Sequence, residues 1–321
     1  MTSKRMRPNM AMINKKALKT ALDKAQNIIL TVHVHPDGDA LGSLLAFYEA
    51  LTAQGKTVTM VVDDIIPEKY NFLAPVDKIH SIETMTDWTT DMLLVLDAST
   101  FERIGRVGEL CKAPIYNIDH HISNSHFAAG LYLLPEFAAT GEILTDLCES
   151  WNWPITETMA NALYMAIATD CGFFRFSNTT ENTLNMAALC VKNGAKPNVI
   201  SEHVEVTTVA RIEVMKEALQ TIRFYKDGKV AVLALDEALM AKVGDDTDGY
   251  VDLIRNVDTV DIAILLKAVD TNVTRVSLRA KVTDVNAIAN HFGGGGHVKA
   301  AGCTIQANID GAIEQLLTVI G

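Results

Sequence analysis

The chain has 321 residues, more than one hydrophobic core usually supports, so two domains are expected. Apolar residues make up 49% of it, enough for a core in each. A formal net charge of -11 argues against wrapping long duplex nucleic acid, because that affinity comes mainly from many Lys and Arg side chains neutralising phosphates, but leaves room for a short phosphate ester in a local basic pocket.

In chain order, the first half alternates β-rich runs with amphipathic stretches, the pattern of βαβ units and a mainly parallel sheet flanked by helices. NIILTVHV leads into the helical LGSLLAFYEALTAQG, closed by Gly55, and the strands KTVTMVV, DMLLVLDA and PIYNID follow. From Thr140 to about Asn193 the pattern is helical, through TGEILTDLCESW, ETMANALYMAIATD and TENTLNMAALCVKNG. Residues 194–215 carry a Gly, a Pro and more helical sequence, and are expected to link residues 1–193 to a smaller α/β domain over 216–321. There KVAVLALD, DIAILLKAVD, TRVSLRAK and AGCTIQAN are expected strands, and VNAIANHF and DGAIEQLLTVI are expected helices. Five scattered cysteines form no CxxC pair and fit a reduced compartment. The basic start MTSKRMRPNMAM precedes no apolar signal core, and no run approaches the ~20 apolar residues that span a bilayer, so a soluble cytoplasmic protein without membrane contact is expected.

Hard oxygen donors and imidazoles gather where the apolar strands run out. His33, Asp37 and Asp39 lie in TVHVHPDGDALGS, Asp97 follows MLLVL, and Asp119, His120 and His121 follow PIYNI. Open parallel sheets place their sites at the carboxyl ends of strands, so these residues point to one pocket for divalent ions and to metal-assisted hydrolysis. Gly38 is expected to turn the chain tightly between Asp37 and Asp39, so that each addresses a different ion. The plain alternative is a polar turn capping a helix that begins near Ala40. Asp97 alone could be a loop or cap residue and gains weight from its company. Adjacent His120 and His121 point apart, so one can ligate while the other meets substrate, with Asp119 orienting an imidazole. Asp170 ends a helix, where a carboxylate is unfavourable against the helix dipole unless a cation compensates it.

In the second domain, Gly293 to Gly296 precede His297 in FGGGGHVKAAG. Such a run suggests close backbone approach to a ligand, with amides forming an anion nest, against the alternative of a hinge or hairpin turn. No GK[ST] follows, so it is not a P-loop. Arg255 in DLIRNVD and Arg279 in VSLRAK are the other basic groups expected to face it, although a single Arg is more commonly a surface residue.

Taken together, these motifs resemble the DHH phosphoesterase family, in the branch with a C-terminal DHHA1 domain, over nearly the whole chain. The resemblance rests on HxxxDxD at His33, Asp37 and Asp39, on Asp97, on the DHH at Asp119 to His121, on Asp170 and on the GGGGH at Gly293 to His297. It implies that His33, Asp37 and Asp97 hold one Mn²⁺ and that Asp39, Asp97, His120 and Asp170 hold a second, with Mg²⁺ or Co²⁺ as alternatives. It further implies that Asp97, Asp119 and His121 serve catalysis, His121 at the scissile phosphate. Arg255, Arg279, Gly294, Gly295 and His297 would bind the rest of the substrate. The two-domain plan is similar to that of compact bacterial enzymes acting as oligoribonucleases and 3′,5′-bisphosphate nucleotide phosphatases. The substrates implied are short RNA, dinucleotides and 3′-phosphoadenosine 5′-phosphate (pAp), with cyclic di-AMP or linear pApA as the alternative and a homodimer left open. An inorganic pyrophosphatase and a non-catalytic nucleotide sensor are the more distant readings.

Overall fold

The computed structural model describes residues 11–244, 247 and 249–321. They fall into two compact units that divide between Val206 and Thr207. The first runs β1 (Ala11–Met12), α1 (Lys15–Lys24), β2 (Asn27–Thr31), α2 (Gly38–Ala53), β3 (Thr57–Val62), β4 (His80–Ser81), β5 (Met92–Leu96), α3 (Val107–Leu110), β6 (Ile115–Asp119), β7 (Gly130–Leu133), α4 (Thr140–Ser150), α5 (Glu157–Asp170), α6 (Glu181–Lys192) and α7 (Pro197–Val204).

Among the described residues its strands form one seven-stranded sheet, in the order β1-β7-β6-β5-β2-β3-β4, with every neighbouring pair parallel. Parallel sheets need cover on both faces, which is why MLLVL of β5 is buried at every position. Leu30, Leu94 and Leu96 pack into the core that α2, α4 and α5 share on one face, while Ile29, Leu93 and Val95 meet Ile104 and Val107 on the other. The strand order reverses at β2, between β3 and β5, so the crevice where such sheets bind ligands opens at the carboxyl ends of β2 and β5.

Helix α2 is buried nearly all round, as a helix held between a sheet and a second helix must be. Gly38 is its first residue rather than the turn expected between two carboxylates. A Cβ at Gly38 would stand 2.4 Å from Thr169 Oγ1 of α5. Close helix packing is therefore what requires glycine there.

The second unit comprises α8 (Val209–Leu219), β8 (Arg223–Tyr225), β9 (Val230–Leu235), α9 (Glu237–Val243), α10 (Tyr250–Arg255), β10 (Ile262–Asp270), β11 (Val273–Ala280), α11 (Val285–His291), β12 (Gly295–His297), β13 (Ala300–Ile305) and α12 (Ile309–Ile320). Its mixed six-stranded sheet has the order β12-β13-β11-β10-β9-β8, with β9 and β10 parallel and the other pairs antiparallel. Val276 and Leu278 face the core under α11 and α12, and Leu233 and Leu265 face the one under α9 and α10. Residues 194–215 hold all of α7 and the first part of α8, and Ile200 of α7 is fully buried in the first unit's core.

The glycine run departs from the expected nest. The N–H groups of Gly293 and Gly294 donate to the carbonyls of Asn290 and Ala289, each at 3.0 Å, and so close α11. Gly295 then begins the edge strand β12. A Cβ on Gly294 would lie 2.2 Å from the Gly302 carbonyl oxygen, and one on Gly296, at φ +153°, 2.5 Å from that of Ala300. These glycines admit the backbone of β13, and the first two amides are already occupied.

No helix among the described residues is long and apolar enough to cross a membrane.

Candidate metal centre

The chain leaves β2 through His33, which is 3% exposed. Its Nδ1 lies 2.8 Å from the Val34 carbonyl, a donor position that turns Nε2 toward Asp37 Oδ2 at 3.6 Å and Asp97 Oδ2 at 3.5 Å. Asp37 is the N-cap of α2: Oδ1 accepts the Ala40 N–H at 3.0 Å, leaving Oδ2 for the cluster. The capping role and the cluster role thus coexist in one side chain. Asp39, two residues further on and about half a turn round the helix, points elsewhere. Its Oδ2 accepts the Thr140 N–H at 2.6 Å, and its Oδ1 accepts the Gly141 N–H at 2.8 Å and the Ser43 hydroxyl at 3.1 Å. The two carboxylates separate because they straddle a helix start, not because they alternate along an extended turn.

Asp97 sits just past β5 with φ +57°, a left-handed conformation that Asp tolerates better than most residues. Its side chain is 2% exposed, and the two oxygens face different groups. Oδ2 faces His33, while Oδ1 lies 3.5 Å from His120 Nε2 and accepts the Thr140 hydroxyl at 3.1 Å. His120 Nε2 also lies 3.3 Å from Asp170 Oδ2 and 3.8 Å from Asp39 Oδ2. Two metal-capable groups result, His33 with Asp37 and Asp97, and Asp39 with His120 and Asp170. His121 has a separate bond, since its Nδ1 meets Asp119 Oδ1 at 2.7 Å. Asp119 is fully buried, and Asn124 Nδ2 donates to its other oxygen at 2.6 Å. Asp97, His120 and His121 also lie close enough to form a third ligand combination.

The electrostatics describe a site built around missing positive charge. Burial pushes the Asp39 carboxyl well above its usual range, and the charges of Asp97 and Asp170 add to that. Burial likewise raises Asp170 to about 7, with Asp97 and Asp37 adding and His120 opposing. Burial would raise Asp97 too, but hydrogen bonds with His120 and His33 reverse this and hold it below the ordinary carboxylate range. The histidines move in complement: burial would lower His33 and His120, yet the surrounding aspartates raise each to about 10. The ion pairs these aspartates make among the described residues are with histidines, not with Lys or Arg. A set of buried carboxylate oxygens and imidazoles with no fixed cation fits divalent ions.

The predicted residues of the second unit lie on its sheet and helices. Arg279 of β11 and His297 of β12 both pair with Ala300 of β13, so the three stand in a row across the sheet and project from one face. Arg279 Nη1 donates to the Leu278 carbonyl at 3.1 Å. Arg255 ends α10, with Nε 3.5 Å from Asp252 Oδ1. Sequence reasoning missed Thr140, Gly141, Ser43 and Asn124, which all bond to the cluster aspartates. The only available signal was a Thr-Gly pair opening a helix, which is common.

The DHH family, N-terminal domain, matches residues 27–167, and the DHHA1 domain matches residues 227–321. The chain is 33% identical over 301 residues to the bifunctional oligoribonuclease and PAP phosphatase NrnA of Thermus thermophilus, covering 91% of this chain and 89% of that one. It is 24% identical over 283 residues to the Bacillus subtilis protein of the same name, covering 87% of this chain and 89% of that one. The crystal structure of an exopolyphosphatase-related protein from Bacteroides fragilis has the same fold, with a TM-score of 0.85 at 23% identity over 95% of each chain. With both domains matched and the strand-end aspartates and histidines gathered as described, this chain belongs to the DHH family and carries a DHHA1 domain.

Proposed function

We propose that this protein is a two-metal phosphoesterase that hydrolyses short oligoribonucleotides or dinucleotides and pAp. The observation that carries this reading is Asp97, which turns one carboxylate oxygen toward each of two ligand groups. His33, Asp37 and Asp97 would hold one divalent ion, Mn²⁺ or Mg²⁺, and Asp39, Asp97, His120 and Asp170 the other. When bound, such ions would lower the pKa of a coordinated water and offset charge on the phosphoryl oxygens.

The chain's own groups do the rest. His33, Asp39 and Asp97 form a buried floor, whereas the Asp37, Asp170 and His121 side chains are 56%, 32% and 36% exposed and form the open rim. Substrate therefore meets the rim. Asp119 and Asn124 fix the His121 ring, and in the imidazolium form that Asp119 and Asp97 favour against burial its Nε2 donates to a phosphoryl or leaving oxygen. In this reading residues 1–193 are catalytic, 194–215 join the domains, and 216–321 bind the remainder of the substrate through Arg255, Arg279, Gly295 and His297, with Gly294, whose amide is taken by the end of α11, giving only close backbone approach. The row formed by Arg279 and His297 supports it, since guanidinium and imidazole donors on one face suit a phosphate. The names of the two relatives support oligoribonucleotides and pAp as substrates.

The test is a panel of short RNA, pAp, linear pApA, cyclic di-AMP and pyrophosphate, each incubated with Mn²⁺. Release of mononucleotides from short RNA and of phosphate from pAp is expected. Turnover of pyrophosphate alone, or of nothing, would sink the proposal.

A further inference from the structure

Thr140 is fully buried and reaches two cluster aspartates that come from different parts of the chain. Its backbone N–H donates to Asp39 Oδ2 at 2.6 Å, and its hydroxyl to Asp97 Oδ1 at 3.1 Å. The N–H bond caps the start of α4 from outside the helix, whereas the hydroxyl bond does nothing for the helix. Thr140 is the first residue of α4, and the capping position belongs to Ala139, which has no side chain able to cap. The first N–H groups of α4 are instead satisfied by Asp39, about a hundred residues earlier in the chain. Thr145 of the same helix shows the ordinary alternative, its hydroxyl donating to the carbonyl of Gly141 four residues back at 2.7 Å. Thr140 has no such carbonyl behind it in the helix, and its hydroxyl goes to Asp97.

The oxygen it touches is the one facing His120, on the side of Asp39 and Asp170. Rotation about the last torsion of an Asp side chain is soft, so a carboxylate that must serve two ions needs something else to fix its plane. Histidine bonds fix it only as long as the histidines are not themselves occupied by ions. A neutral hydroxyl brings a donor without a charge that would repel a cation. We propose that Thr140 is a positioning residue that fixes the plane of the Asp97 carboxylate and thereby sets the affinity of the second ion, at Asp39, His120 and Asp170, more than that of the first. This rests on the two-ion reading above.

The test compares Thr140→Val and Thr140→Ser with wild type in the full-length protein. Val keeps the shape and the N–H to Asp39 but removes the hydroxyl, and Ser restores the hydroxyl. Metal-free protein is titrated with Mn²⁺, and free ion is followed by its electron paramagnetic resonance signal. Wild type should bind two ions. Thr140→Val should weaken the second by on the order of ten- to a hundred-fold while leaving the first nearly unchanged, and Thr140→Ser should bind as wild type does. In turnover assays, half-maximal activity of Thr140→Val should need correspondingly more Mn²⁺, with the substrate KM unchanged at saturating metal.

Equal weakening of both ions, or none, would overturn the role assigned to Thr140. If Thr140→Val does not fold, Thr140→Ala is read by the same titration. A wild-type protein that binds one ion would instead overturn the two-ion reading itself. Because the titration needs no substrate, it stays decisive even if none of the panel is hydrolysed.

Discussion

Asp119 makes no contact with the metal-capable groups other than through the histidines beside it. It accepts from the His120 backbone N–H at 2.9 Å, from His121 Nδ1 at 2.7 Å and from Asn124 at 2.6 Å. Asp119→Asn would place an amide NH₂ against one of these donors and release the His121 ring. The expected result is a fall in kcat of on the order of ten- to a hundred-fold with two ions retained, checked by steady-state kinetics beside metal analysis. Asp170 calls for a different measurement. Its folded pKa, raised to about 7, means that above that pH its charge opposes folding of the metal-free protein. Asp170→Asn should therefore melt higher than wild type without metal at about pH 8, lose that advantage below about pH 4, and gain less from added Mn²⁺. At this scale the sequence was legible wherever a donor type stood at a strand end. Reading Gly38 as a turn failed because its reason is Thr169, a neighbour more than a hundred residues away, and no local pattern records such a neighbour.

The same close approach governs the pairing of α2 with α5. Gly42, one turn after Gly38, would place a Cβ 2.3 Å from the Ala162 carbonyl oxygen, so this pair of helices packs backbone to backbone. Gly42→Ala must push them apart and is expected to cost about 1–3 kcal/mol in a denaturant melt. Because α2 carries Asp39 and α5 carries Asp170, a lower apparent Mn²⁺ affinity should accompany it. The long apolar runs that became β2, β5, β9 and β10 were legible because burial on both faces leaves an uninterrupted apolar signature. Shorter elements were not. The four residues of β7 carry a glycine that admits the Tyr116 ring, and β12 is a glycine run whose strand character comes entirely from pairing with β13. A strand defined by its partner cannot be read from its own residues.

For the whole molecule, the first unit is organised around carboxylates that its own side chains only partly compensate. Removing metal with a chelator should lower its melting temperature, and the loss should grow with pH. His33 and His120, each raised from an ordinary 6.5 to about 10, contribute proton-linked stability to the metal-free fold that is complete below 6.5 and lost as pH rises toward 10. Ion binding must displace those protons, so Mn²⁺ affinity should climb over the same window, which calorimetry in buffers of different ionisation heat would show as proton release. An affinity flat from about pH 6.5 to 9 would contradict this. A quieter feature at the far side of the same sheet has its own consequence. The pairing of Ala11 and Met12 with Gly130 and Leu131 covers one end of the outer edge of β7, a strand whose residues are otherwise nearly all buried. Deleting residues through 13 would leave the ladder of an apolar edge strand bare, and such a protein is expected to keep its fold in dilute solution but to self-associate into aggregates as concentration rises, a light-scattering change with no counterpart in the active site.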